Sequence, residues 1–108
     1  MNKLFPLLAF SLLALPAAAA DPLTAAVAEI GRINGIALAC QQPALVSRAR
    51  NAVLTTAPKT RAYGEAFEDA TSASFLAQGK GDCPDAQTLA RQLVSAEARL
   101  QEAVGVAR

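Results

Sequence analysis

The side chains with the greatest chemical potential are two cysteines, Cys40 and Cys83, in a chain that has no histidine to work with either of them. A thiol becomes a nucleophile or a metal ligand when a nearby base, cation or metal lowers its pKa. The missing imidazole excludes Cys-His and Ser-His nucleophile pairs and the ordinary imidazole sites for zinc, copper and non-haem iron. Neither C-x-x-C nor C-x-x-C-H occurs, and the sole methionine is Met1, so the redox motif and the usual axial ligands of haem are missing as well. The chemistry left to these two sulfurs is to bond to one another. A Cys40–Cys83 disulfide closes a loop of about 44 residues, and chain-entropy arithmetic assigns such a loop about 4 kcal/mol. A redox or metal-binding pair is the rival reading. It is the poorer one, because two distant thiols without a further ligand make a weak metal site.

Other reactive groups offer less. Ser47, Ser72, Ser74 and Ser95, with Lys59 and Lys80, supply the atoms of a Ser-Lys dyad, but nothing in the local sequence marks a nucleophile. Glu65, Glu68 and Asp69 share one side of a helical segment by i,i+3 and i,i+4 spacing. Acid–base work on a glycoside would need one of them raised in a sheltered cleft, so a solvated acidic face is the plainer expectation. Calcium binding there lacks the EF-hand spacing. Gly79-Lys80-Gly81-Asp82 is a fragment of a phosphate loop without its Ser/Thr ending or a preceding strand, and reads as a helix cap followed by a turn. We expect no enzyme activity, no cofactor and no metal.

What must position the cysteines is read from the ends inward. Lys3 precedes an apolar run from Leu4 to Leu15, then Pro16 and the small residues Ala17 to Ala20. That order of charge, apolar stretch and A-x-A site (Ala18, Ala19, Ala20) predicts a secretory signal peptide over residues 1–20, removed before Asp21. A retained anchor is the alternative, and Pro6, Pro16 and the small far end of the run oppose it. The expected mature chain is a single domain over residues 21–108. With Lys3 gone, nine basic residues face nine acidic ones, a balance that disfavours nucleic-acid binding. A domain this small is marginal without a staple, and an exported location, periplasmic or secreted, permits one.

The mature region predicts an all-α fold, a small disulfide-stapled bundle of about four short helices. Asp21 and Pro22 signal the start of the first helix, expected to run to Cys40. Leu23, Val27, Ile30, Ile33, Ala37 and Cys40 form its apolar stripe. Pro43 opens a second helix ending near Thr56. Pro58 opens a third, with Tyr63, Phe67, Ala70, Ser74 and Ala77 in helical register, closed by Gly79. Pro84 opens the fourth, carrying Ala86, Leu89, Leu93, Ala96, Leu100 and Ala103 to about Val104, beyond which the end is expected to fray. A second stripe on the first helix, Gly31, Gly35 and Ala39, has no bulk. Interior glycine costs up to about 1 kcal/mol against alanine, so two of them imply a close approach by a helix of the same domain or by a partner. Charge divides into Arg48, Arg50, Lys59 and Arg61 followed by the acidic trio, an arrangement read as solvent-facing or as an orienting surface.

The plan of signal peptide, short helical mature chain and one long disulfide loop is similar to that of small periplasmic acid-stress chaperones. The similarity is of plan alone and assigns no residue a role. Three functions are therefore expected in order: a non-enzymatic exported protein contacting another periplasmic protein, a carrier of a small apolar ligand, and an acid-stress chaperone. None requires nucleic acid or stable membrane insertion.

Overall fold

The structure, a computed structural model, describes residues 21–107; the leader expected over residues 1–20 lies outside them. Helices α1 (Pro22–Ala39), α2 (Pro43–Thr56), α3 (Arg61–Gln78) and α4 (Ala86–Ala107) account for its regular structure, and the described residues contain no strand. The expected all-α fold is the observed one.

Each boundary has a local cause. Asp21 caps α1 by accepting a hydrogen bond from Thr24 N at 2.6 Å, with Pro22 in the first turn. Cys40 closes the helix. Gln41 then adopts a left-handed φ of 57°, and Gln42 N donates to Ala37 O at 2.8 Å while Gln41 N donates to Leu38 O at 3.3 Å. These are the paired bonds of a Schellman ending, here without its usual glycine. Two expected starts shift inward. α3 begins at Arg61 rather than Pro58, because the Thr60 hydroxyl caps Tyr63 N at 3.3 Å. α4 begins at Ala86 rather than Pro84, because the Asp85 carboxylate accepts from Thr88 N at 2.8 Å. The far end of α4 continues through Gly105 to Ala107 instead of stopping near Val104.

α1 is the hub. It packs on α2, α3 and α4, and α2 and α4 also meet. α4 runs against α1, as the Arg32–Gln92 and Cys40–Cys83 pairings show. α2 runs alongside α4, joined by Arg48 Nε and Nη2 donating to the Glu97 carboxylate at 2.9 and 2.8 Å. α3 runs alongside α1: Gly31 lies against Phe67 and Ala70, and Gly35 against Thr71, Ser74 and Phe75. The large core side chains come from α1 and α4, with Val27, Ile30, Ile33, Leu89, Leu93 and Leu100 all fully buried. α2 adds Ala49 and the half-buried Leu45, Val46, Ala52 and Val53. α3 adds Phe67 and Thr71.

Candidate functional site

Cys40 and Cys83 are bonded, with their Cα atoms 5.9 Å apart. Cys83 is exposed and Cys40 half-buried. The bond joins the end of α1 to the connection between α3 and α4. That connection is shaped locally: Gly79, with φ of 49°, caps α3, Gly81 N donates to Gln78 O at 2.8 Å, and Gln78 Nε2 donates to the carbonyls of Gly81 and Asp82 at 3.2 and 3.1 Å. Gly79-Lys80-Gly81-Asp82 is thus a cap and turn leading into the disulfide.

Gly31 and Gly35 lie beneath α3. A Cβ on Gly31 would stand 2.6 Å from Phe67 O and 2.9 Å from Ala70 Cβ, and one on Gly35 would meet Thr71 O and stand 2.8 Å from Phe75 N. The bare strip is occupied within the chain, and the other member of the predicted stripe, Ala39, is half-buried. A partner cannot use Gly31 and Gly35 while α3 is in place. At the centre of this seam Asn34 Nδ2 donates to Thr71 Oγ1 at 3.2 Å. Thr71 Oγ1 in turn stands 2.8 Å from Phe67 O and 3.2 Å from Gly31 O. Asn34 is fully buried, and its Oδ1 has no hydrogen-bond partner. A buried acceptor left in this state costs about 1–3 kcal/mol.

Shallow grooves flank α3. One, of about 490 Å³, is lined by Leu38, Thr71, Ser72, Phe75 and Leu76. Leu38, Phe75 and Leu76 remain 38%, 45% and 77% exposed. They form an uncharged apolar cluster at the end of α1. The sequence reading missed it: Phe75 and Leu76 lie off the predicted register of α3, and nothing local shows that their side of the helix stays uncovered. The other groove, of about 730 Å³, is walled by Ala25, Ala28, Ile36, Ala70, Ala73 and Ala77 with Glu29 and Arg32 at its lip. Arg32 Nη2 donates to Glu29 Oε2 at 2.7 Å and Ser74 Oγ donates to Arg32 O at 2.6 Å. The hydrogen bond from Arg32 holds the Glu29 carboxyl below the usual range, and Glu29 raises the Arg32 guanidinium in return.

The other sequence candidates are dispersed. Glu65, Glu68 and Asp69 are exposed and border a third groove beside Arg50 and Arg61. Among the described residues no cluster of three or more His, Cys, Asp or Glu is placed to hold a metal. Ser74 bonds to Arg32 O, and Lys59 Nζ caps Leu54 O, so each serves the fold. No helix of the described residues is long and apolar enough to cross a membrane.

The fold and site define a small disulfide-linked helical domain with an uncovered apolar cluster. No protein-family model, curated protein or solved structure matches the chain.

Proposed function

We propose that this chain is an exported, non-enzymatic helical protein that works by contacting another protein in the periplasm or outside the cell. The observation that carries the reading is the Leu38, Phe75 and Leu76 cluster. Three large apolar side chains converge around one groove with no charged residue in its lining, and exposed apolar clusters mark contact surfaces. The proposed contact face lies apart from Gly31 and Gly35 of the small-residue stripe, which α3 covers.

A photo-crosslinking side chain at position 76, introduced in cells that make the protein, is expected to capture one discrete partner. Placed at Leu54, on a different helix, it should not. With the crosslinking side chain kept at position 76, Phe75→Ser should abolish capture while the helical circular-dichroism signal is retained. Equal capture from both positions, or capture only of further copies of this chain, contradicts the reading. Recovery of the chain with residues 1–20 still attached contradicts its export.

A carrier of a small apolar ligand is the second reading. It is favoured by the alanine-walled groove, whose volume falls within the about 300–1,000 Å³ of ligand sites. A native mass equal to that of the bare chain removes it.

A further inference from the structure

We propose that the Cys40–Cys83 bond is a reversible clasp on α3: its reduction lets α3 leave α1 while α1, α2 and α4 stay packed. The inference is independent of which partner the apolar cluster serves.

Three observations carry it. First, α3 has one extensive neighbour, α1, whereas α2 and α4 each pack on α1 and on one another. Removing α3 takes Phe67 and the half-buried Tyr63 and Ala66 out of the core, whereas the fully buried Ile30, Ile33, Leu89, Leu93 and Leu100 lie on α1 and α4 and stay with them. Second, the centre of the seam that holds α3 has no large side chain on its α1 side. Its α1 side is Gly31 and Gly35, its α3 side is Phe67, Ala70, Thr71 and Ser74, and it encloses the unpartnered Asn34 Oδ1. Opening the seam gives that oxygen to water, which offsets part of the lost packing. Released from α1, α3 loses the tertiary packing that supplies most of a helix's stability in a protein. Third, the bond is placed where it can act. It ties the residues just after α3 to the end of α1, and Cys83 is exposed to a reagent.

The step needs an external dithiol. One of its thiolates attacks Cys83 Sγ, the sulfur–sulfur bond breaks, and Cys40 leaves as a thiolate that takes up a proton. The second thiol of the reagent then displaces Cys83, which is protonated likewise. The protein gains two electrons and two protons, and the reagent departs as its own disulfide. Reoxidation restores the clasp.

The aromatic residues and the arginines separate the two outcomes. Among residues 21–108 the aromatics are Tyr63, Phe67 and Phe75, all on α3, while Arg32, Arg48, Arg91 and Arg99 lie on α1, α2 and α4. Phe67 is buried, so chymotrypsin reaches the bond after it when α3 opens. On addition of dithiothreitol, chymotryptic cleavage after Phe67 is expected to accelerate at least tenfold, with tryptic cleavage after Arg32 and Arg91 unchanged. The Cys40→Ser, Cys83→Ser variant should show the same pattern without reductant. No acceleration after Phe67 overturns the proposal. So does equal acceleration after Phe67, Arg32 and Arg91, which would make the bond a staple of the whole domain.

Discussion

The two sides of α1 hold their neighbours by different physics. On its core side, where α4 packs, the helix contributes Val27, Ile30 and Ile33, which share one buried cluster with Leu89, Leu93 and Leu100 of α4. Toward α3 it presents Gly31 and Gly35, and contact is made backbone to side chain at the closest spacing the atoms allow. The first seam is stabilised by apolar area, at roughly 25 cal/mol per Å² removed from water. The second is governed by shape, contains a polar pair, and leaves Asn34 Oδ1 unpaired. One helix therefore holds its neighbours in two ways at once. The disulfide is attached on the glycine side.

Substitutions should separate the seams in a graded way. Leu93→Ala empties a fully buried position on the α4 side. It is expected to lower global stability by about 2–5 kcal/mol in denaturant titration. A loss under about 1 kcal/mol would mean that this side is not the core. Gly35→Ala drives a methyl group into the backbone of α3. The gain in helix propensity does not compensate, and a net loss of about 1–3 kcal/mol is expected. That loss should be accompanied by faster proteolysis confined to α3; stabilisation by this change would show that the seam has slack. Gly64→Ala is the control, on α3 itself, where an added Cβ meets nothing within 4 Å. It should stabilise by up to about 1 kcal/mol.

The smallest effect is that of acid. Thr24 N and Thr88 N, donating to the capping carboxylates, hold Asp21 and Asp85 below the ordinary range, and Arg32 does the same for Glu29. A carboxyl whose folded pKa is depressed contributes stability that is present above its unfolded pKa and lost as pH falls through the folded one. Stability should therefore decline below about pH 4. All three groups belong to α1 and α4, so the decline should register at the starts of those helices before α3. Unchanged thermal unfolding between pH 6 and pH 2.5 would show that these contacts do not stabilise the fold.

Much of the fold was legible because its signals are local. Asp21-Pro22 and Pro43 start helices where their chemistry requires, and the register Leu89, Leu93, Ala96, Leu100 needs only a 3.6-residue period to be seen. Two distant cysteines without histidine pointed to a bond by elimination. The misplaced boundaries came from competing local signals. Pro58 and Pro84 look like first-turn residues, yet Thr60 and Asp85 behind them have the oxygen that caps. Gln41 in a left-handed conformation carries no sequence mark. The site was less legible because it depends on which faces remain uncovered. Thr71 stands outside the predicted apolar register of α3 but sits at the centre of its seam, since its hydroxyl can be satisfied there by Phe67 O, Gly31 O and Asn34. Phe75 and Leu76 stay exposed because α3 has one extensive neighbour, a fact of tertiary arrangement that no periodicity contains.

The contrast between the seams is tested most directly by residue-resolved amide hydrogen exchange of the oxidised protein at neutral pH. Amides of α3 around Phe67 to Phe75 should open at a free energy well below that of Ile30, Ile33, Leu93 and Leu100, which should open only with global unfolding. A single shared opening free energy for α3 and α4 would contradict the account.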